Sequence, residues 1–151
     1  MKYYIAYGSN LKTQDFYKRC PNAKLVTTGF LDGYELSFKK TKTSNVYLTI
    51  EEKEESDLPI AIYKITETDE VAIDDYESLH TGLYYKTETP YLLHNEKSQT
   101  IIYFMNDNST YELPSDRYYQ TVKEGYLEHG FDIKYLEKAL QKSKEWNDKI
   151  W

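Results

Sequence analysis

Alternating apolar and polar residues in two neighbouring segments constrain the fold of this chain most strongly. In residues 34–38, Tyr, Leu and Phe alternate with Glu and Ser, and in residues 46–50, Val, Leu and Ile alternate with Tyr and Thr. A period of two places all the apolar side chains on one face of a strand. Half-buried antiparallel strands show this pattern, whereas parallel strands that are covered on both faces are continuously apolar. The two segments therefore predict an antiparallel sheet with one face on the core.

The rest of the chain interleaves further strands with helices, which predicts an α+β fold. Strands are expected at Tyr3–Tyr7, Val26–Lys39, Val46–Glu51, Ile60–Ile65, Leu83–Leu93 and Thr100–Met105. Helices are expected at Leu11–Arg19, Asp69–Glu77, Ser115–Glu128 and Asp132–Trp146, with caps at Ser115 and Asp132. The acidic residues Glu51–Asp57 are expected to form a solvated hairpin tip between two strands. Because neither a repeat nor a linker interrupts the pattern, residues 1–151 are predicted to form a single domain.

Charge and composition narrow the classes of partner. A net charge of −6 disfavours nucleic-acid backbones and anionic membranes as the main partners. Since the chain shows no secretory leader, no membrane-spanning run and a single cysteine, Cys20, a cytoplasmic location is expected. The 17 tyrosines supply apolar bodies for a core and hydroxyl groups that can line a polar cavity. We therefore expect a small-molecule ligand, with no nucleic acid and no membrane as partner.

A glycine-containing turn follows the first predicted strand, in the run Tyr7–Leu11 (Tyr-Gly-Ser-Asn-Leu). A strand that passes through glycine into a helix leaves backbone N–H groups unpaired at the positive end of the helix. Such donors suit a carboxylate or a developing oxyanion. The alternative is an ordinary connection, in which Gly8 relieves backbone strain and Ser9 or Asn10 caps the helix.

A carboxylate at the end of the second predicted helix is a candidate proton carrier. On a helical projection Ile73 and Tyr76 share the apolar side, while Asp74 and Asp75 point to solvent. Glu77 borders the apolar side and closes the helix, where the helix dipole disfavours a negative charge. Both effects are expected to raise its pKa, which suits a group that takes up and returns a proton. The alternative is an ordinary glutamate at a frayed helix end.

The turn and the acidic helix, in this order, resemble the signatures of the γ-glutamylcyclotransferase-like (AIG2-like) family. Thr81–Tyr84 and Pro114–Tyr118 add weaker similarity, and the resemblance extends from about Tyr3 to Gly130. It implies a mixed, mainly antiparallel β-barrel that is flanked by helices and contains one cavity. It also implies an enzyme that converts a γ-glutamyl amide into 5-oxoproline and a free amine, whose identity the sequence does not reveal.

The resemblance further implies the residues of the site. Glu77 falls on the position of the family's catalytic glutamate, but Ser78 replaces the glycine that usually follows it. The first strand and the turn are implied to contact the γ-glutamyl group, and two tyrosines are expected to line the cavity. The expected substrate-binding residues are Tyr4, Ile5, Ala6, Tyr7, Gly8, Ser9, Asn10, Leu11, Tyr84 and Tyr118. Neither a cofactor nor a metal is expected, because the substrate's own α-amine is the nucleophile.

Other kinds of site have weaker support. Glu77 and His80 show Glu-x-x-His spacing only once, and His94 and His129 have no close partner, so no metal site is expected. Cys20, at a helix end before a proline, is expected to be a structural thiol. The alternative function is a non-catalytic protein that binds an amino-acid-like ligand in the same cavity. The C-terminal helix is expected to pack on the barrel, and the protein to be a monomer or a homodimer.

Overall fold

The computed structural model of the protein describes residues 2–93, 95–106 and 110–150, so His94 lies outside the described residues. The strands are β1 (Lys2–Ala6), β2 (Lys24–Lys40), β3 (Val46–Ile65), β4 (Tyr84–Leu93), β5 (Glu96–Met105) and β6 (Thr110–Tyr111). The helices are α1 (Thr13–Arg19), α2 (Glu67–Tyr76), α3 (Asp116–Glu128) and α4 (Lys134–Ile150). Short 3₁₀ turns lie at Ser9–Leu11 and Leu79–Thr81. The predicted α+β class is confirmed.

The strands form one mixed sheet in the order β4-β5-β1-β3-β2-β6. β1 runs parallel to β5 and antiparallel to β3, and the other neighbouring strands are antiparallel. The sheet curls into a half-barrel that the helices flank, which confirms the predicted mixed, mainly antiparallel barrel. Ile5 and Ala6 of the central strand β1 are completely buried. The core therefore lies against the strand that leads into the turn Ser9–Leu11.

The predicted hairpin tip at Glu51–Asp57 is wrong, although residues 52–55 and 57 are exposed as predicted. β3 runs through these residues as one strand and pairs with β2 on both sides of them. Between the pairs Asp32–Asp57 and Tyr34–Glu52, β3 has the four residues 53–56 where β2 has one, Gly33, and Glu55 adopts φ 60°. The charged residues therefore form an irregularity of β3 within the hairpin. The charges were misleading because β2 pairs with Glu52 on one side of the irregularity and with Asp57 on the other, so the strand does not end here. The turn of this hairpin lies instead at residues 41–45.

Side-chain caps define the helix ends around the sheet. Thr66 and Asp69 form a reciprocal capping box at the start of α2, with hydrogen bonds of 3.0 and 3.1 Å. Ser115 Oγ accepts a backbone N–H of the first turn of α3 at 3.2 Å. Asp132 Oδ1 accepts a hydrogen bond of 2.9 Å from the backbone N–H of Lys134, the first residue of α4. The predicted caps at Ser115 and Asp132 are confirmed.

Two helices support the sheet and the turn from outside. Gly125 lets α3 approach the turn closely, since a Cβ at this position would lie 2.8 Å from Leu11 Cβ and 2.9 Å from Lys12 N. α4 packs on β2 and buries Leu136 and Ala139 completely or nearly so. The predicted packing of the C-terminal helix is therefore confirmed. Among the described helices, none is long and apolar enough to cross a membrane.

Candidate active site

The turn after β1 ends the strand and leaves backbone donors free. Leu11 N donates to Gly8 O at 3.0 Å and Lys12 N donates to Ser9 O at 3.2 Å, which closes one 3₁₀ turn. The N–H groups of Gly8, Ser9 and Asn10 precede these bonds and have no acceptor within the described part of the chain. Gly8 has φ −125°, so the sign of φ does not require glycine here. These N–H groups are the unpaired donors that the sequence predicted.

The side chain of Asn10 braces the turn from inside. Its Nδ2 donates to Tyr4 Oη at 2.9 Å, and its Oδ1 accepts from the Arg19 guanidinium. Tyr63 Oη donates to the Asn10 carbonyl at 3.3 Å. Neither Ser9 nor Asn10 caps a helix, so that alternative role for their side chains is wrong. Because the partners of Asn10 come from β1, α1 and β3, tertiary contacts set the conformation of the turn.

Glu77 follows the last turn of α2, and its backbone N–H donates to Ile73 O at 2.9 Å. Burial of the carboxyl raises the pKa of Glu77 to about 7, and the positive charge of Arg19 partly opposes this rise. The predicted increase of the pKa is therefore confirmed, with burial as its main cause. Near neutral pH the carboxyl populates both protonation states, as a group that transfers protons requires.

Ser78 forms the backbone turn behind Glu77. It adopts the left-handed conformation, at φ 52° and ψ 46°, which costs residues other than glycine about 1–2 kcal/mol. Its carbonyl accepts hydrogen bonds from Thr81 N at 3.2 Å, Thr81 Oγ1 at 3.0 Å and Leu83 N at 3.3 Å. Serine thus occupies a position whose conformation favours glycine, and these local hydrogen bonds hold it there.

Glu77 and the turn open onto the same cavity, which has a volume of about 370 Å³. Cavities of this size hold small molecules. Ser9 Oγ and Tyr76 Oη lie 2.7 Å apart, so a hydrogen bond joins the turn directly to the residue that precedes Glu77. The cavity therefore brings the two features that the sequence singled out into one small volume.

Buried tyrosines form much of the cavity wall. Tyr7 Oη donates to Tyr103 O at 2.6 Å, Tyr84 Oη donates to Leu48 O, and Tyr118 Oη accepts from Leu48 N at 3.1 Å. Burial raises the pKa of Tyr7, Tyr84 and Tyr118 above the usual value of 10. These hydroxyls stay neutral near pH ~7, where Glu77 changes its charge.

A family model described as the AIG2-like family matches residues 58–139, which is more than half of the chain. The chain belongs to the AIG2-like family. The matched region includes Glu77, Tyr84 and Tyr118, and the predicted family is confirmed.

Two curated relatives of this AIG2-like protein are both named gamma-glutamylcyclotransferase. It is 27% identical to the gamma-glutamylcyclotransferase of Homo sapiens over 151 aligned residues, which cover 96% of this chain and 79% of that protein. Identity to the gamma-glutamylcyclotransferase of Bos taurus is 26%, over 89% of this chain and 75% of that protein. A solved structure of a gamma-glutamyl cyclotransferase shares the fold, with a TM-score of 0.79 and 23% identity over 91% of this chain and 85% of that chain. The predicted enzyme class, a cyclotransferase, is confirmed.

Most of the predicted site residues of this AIG2-like protein meet in the cavity. Two of them, Ala6 and Leu11, do not line it, and both are completely buried in the core. Leu11 packs beneath α3 at Gly125. The predicted residues that line the cavity are Tyr4, Ile5, Tyr7, Gly8, Ser9, Asn10, Glu77, Tyr84 and Tyr118.

The cavity also contains residues that the sequence did not indicate. Thr43, Asn45, Tyr47 and Leu48 come from the β2–β3 hairpin, and the Tyr47 and Tyr118 ring centroids lie 5.2 Å apart. The alternating pattern marks Leu48 as a core residue, but no motif marks any of the hairpin residues as part of a site. The other lining residues outside the prediction are Tyr76, Ser78, Thr81, Leu83 and Tyr103.

The prediction that Asp74 is solvated is wrong, whereas that for Asp75 is confirmed. The Asp74 side chain is only 19% exposed, and its Oδ1 lies 3.0 Å from Lys86 Nζ and accepts from Tyr103 Oη. Lys86 also pairs with Glu70 at 2.7 Å. The Asp75 side chain is 64% exposed. The helical projection missed this difference because β4 and β5 supply the partners of Asp74.

The described cysteine and histidines lie outside the cavity wall. Cys20 is buried, donates to Asp69 O at 3.6 Å and has a pKa that burial raises to about 11, which confirms a structural thiol. His80 Nε2 lies 3.4 Å from an oxygen of the exposed Asp75, and His129 Nε2 lies 2.8 Å from a backbone carbonyl. Within the ranges that the structure describes, no three His, Cys, Asp or Glu side chains cluster as a metal site.

The raised pKa of Glu77 predicts a stability that depends on pH. A carboxyl that binds its proton more tightly in the folded state contributes stability below its ordinary pKa of 4.5, and this contribution is lost as the pH rises through about 7. We expect Glu77→Gln to be more stable than the wild type by about 1–3 kcal/mol near pH ~8, and nearly equal to it near pH ~4. Urea denaturation at both pH values measures this difference. Asp75→Asn, which removes an exposed carboxylate, is the control, and a Glu77→Gln advantage that does not change with pH would contradict the prediction.

Proposed function

We propose that the chain is a γ-glutamyl cyclotransferase, which converts a γ-glutamyl amide into 5-oxoproline and a free amine within a single domain of residues 1–151. The observation that carries the proposal is the cavity that Glu77 shares with Gly8, Ser9 and Asn10. A carboxyl with a pKa of about 7 and unpaired backbone N–H groups supply a proton carrier and an anion site in one small volume. The names of the curated relatives support the same activity.

The proposed reaction needs no nucleophile from the protein. The α-amine nitrogen of the substrate attacks its own γ-carbonyl carbon and closes a lactam ring, and the bond from that carbon to the leaving nitrogen then breaks. Holding the two ends of the substrate in a bent conformer can give effective molarities of about 10⁵–10⁸ M. The protein must therefore hold that conformer, stabilise the oxyanion and assist the transfer of protons from the α-nitrogen to the leaving nitrogen.

Glu77 carries the proton in this proposal. As a carboxylate it accepts a proton from the α-ammonium group, which frees the nitrogen lone pair for attack. The protonated carboxyl then gives this proton to the leaving nitrogen as the bond to the γ-carbon breaks. The second proton of the α-nitrogen is lost as the lactam N–H forms and is taken up by the freed amine, so the enzyme regains its starting charge in each turnover. A pKa of about 7 lets the group perform both steps near neutral pH.

The turn is proposed to hold the γ-glutamyl end and the oxyanion through the N–H groups of Gly8, Ser9 and Asn10. The hydrogen bonds of the Asn10 side chain fix these donors before the substrate arrives, so little reorganisation is needed during the reaction. Tyr84 and Tyr118 are proposed to line the pocket, with hydroxyls that are already oriented by the backbone of Leu48. The remaining proposed binding residues of this wall are Tyr4, Ile5 and Tyr7.

The proposal is tested by incubating the protein with glutathione, a γ-glutamyl dipeptide and γ-glutamyl-ε-lysine and measuring 5-oxoproline by mass spectrometry. These amides share the reacting end and differ in the leaving amine. An N-acetylated γ-glutamyl amide is the matched control, because its blocked nitrogen cannot attack. Release of 5-oxoproline from the free amides alone supports the proposal. Binding of 5-oxoproline with no turnover of any amide would indicate a non-catalytic binding protein instead.

The cytoplasmic location and the monomeric or homodimeric state stay predictions from the sequence. The proposed partner is the small γ-glutamyl substrate.

A further inference from the structure

Arg19, the last residue of α1, contacts two parts of the cavity wall. Its guanidinium carbon lies 3.8 Å from the centroid of the Tyr76 ring, and its Nη2 donates to Asn10 Oδ1. Tyr76 ends α2 and Asn10 belongs to the turn, and both residues line the cavity. A guanidinium group suits this pair of contacts, because its face stacks on a ring while its edge donates hydrogen bonds.

These contacts belong to a continuous set of side-chain interactions between the turn and α2. The hydrogen bond of 2.7 Å between Ser9 Oγ and Tyr76 Oη forms one link. Arg19 forms a second link, through Asn10 on one side and the Tyr76 ring on the other. Asn10 in turn donates to Tyr4 Oη at 2.9 Å, which connects the set to β1. The proton transfer proposed above does not itself involve Arg19.

We propose that Arg19 is a positioning residue that holds the turn against the end of α2 and keeps a constant positive charge beside Tyr76, the residue that precedes Glu77; its kinetic consequences rest on the proposed function. Arginine stays protonated throughout the physiological pH range. Its charge favours the carboxylate form of Glu77, which is the form that accepts a proton. Its contacts with Asn10 and Tyr76 keep the N–H donors and Glu77 in a fixed relative position.

The other titratable groups that face Glu77 are buried tyrosines from the region of β1, β4, β5 and α3. Burial and the charge of Glu77 both raise their pKa values, so these groups stay neutral in the range where Glu77 titrates. They are Tyr4, Tyr7, Tyr84, Tyr103 and Tyr118. Among the described residues, Arg19 is therefore the cation that acts on the Glu77 carboxyl.

Four variants separate the charge of Arg19 from its contacts. Arg19→Met and Arg19→Gln remove the charge, and the Gln variant retains an amide donor for Asn10. Arg19→Lys keeps the charge but replaces the planar guanidinium by an ammonium group that cannot stack and donate in the same way. Lys18→Met is the matched control, because it removes a positive charge from the neighbouring exposed position of the same helix.

The direct measurement is a nuclear magnetic resonance titration of protein labelled with carbon-13 at the glutamate carboxyls, with Glu77→Gln identifying the Glu77 signal. We expect the pKa of Glu77 to rise by about one unit in Arg19→Met and Arg19→Gln, since loss of a nearby opposite charge disfavours the carboxylate. It should keep the wild-type value in Arg19→Lys and Lys18→Met. Because this readout needs no turnover, it tests the inference separately from the proposed function. A wild-type titration in a folded neutral variant, or an equal shift in Lys18→Met, overturns the inference.

The kinetic measurement is the dependence of kcat/KM on pH. In Arg19→Met and Arg19→Gln, the acidic limb of the kcat/KM profile should move to higher pH by about one unit. The reason is that fewer molecules carry Glu77 as a carboxylate at a given pH. Arg19→Lys should keep the wild-type limb but raise KM about tenfold, because the turn is no longer held in place. If Arg19→Met and Arg19→Gln both fail to melt cooperatively, the KM of Arg19→Lys tests the positioning role. An unchanged KM in that variant would then overturn the positioning role, and a raised KM with a wild-type limb supports it.

Discussion

Replacing Glu77 with Gln should lower kcat for 5-oxoproline formation by about 10²–10⁴-fold and leave the protein folded. The amide has nearly the shape of the carboxyl, but it cannot accept a proton from the α-ammonium group or return one to the leaving nitrogen. The backbone donors of the turn are unchanged, so KM should change little. Steady-state kinetics with the preferred γ-glutamyl amide measures both constants, and a thermal melt checks the fold.

Asp75→Asn is the matched control for this variant. It removes a carboxylate from the same end of α2, at a side chain that is 64% exposed, and it should retain wild-type kcat. Asp74→Asn is unsuitable, because Asp74 pairs with Lys86 and accepts a hydrogen bond from Tyr103. An inactive Asp75→Asn together with an active Glu77→Gln would show that a different carboxylate carries the proton.

Replacing Gly8 with Val should lower kcat by about 10²–10³-fold, the cost of losing one oxyanion donor. The expected reason is space in the cavity, since φ −125° at Gly8 does not demand glycine. A Cβ at Gly8 would lie 3.7 Å from Leu48 Cδ1 and 3.7 Å from Tyr118 Oη, which is ordinary contact. The two additional methyl groups of valine must then occupy room beside these atoms and displace either the substrate or the turn.

Gly8→Ala is the control that separates these effects, because its single Cβ meets only ordinary contacts and should leave most of the activity. Calorimetry with 5-oxoproline should show binding to Gly8→Ala and none to Gly8→Val, while both proteins melt cooperatively. Normal turnover by a folded Gly8→Val would mean that the turn is only a connection and that the substrate binds elsewhere.

The sequence by itself determined the local elements and the two features from which the site is built. The alternation in residues 34–38 and 46–50 predicts strands without tertiary information, because neighbouring side chains of a strand point to opposite faces. Ser115 and Asp132 mark helix starts because their side chains bond the backbone only a few residues away. The turn at Tyr7–Leu11 and the end of α2 at Glu77 are likewise short continuous segments.

Only the tertiary structure decided the features that depend on partners distant in the chain. The acidic segment Glu51–Asp57 stays within one strand because β2 pairs on both sides of residues 53–56, and Asp74 is shielded because β4 and β5 supply its partners. Arg19 contacts the cavity wall and Tyr47 lines it, because the fold brings α1 and the β2–β3 hairpin to the turn that follows β1. The pKa of Glu77 rises to about 7 for the same reason, since the burial that raises it exists only in the folded cavity.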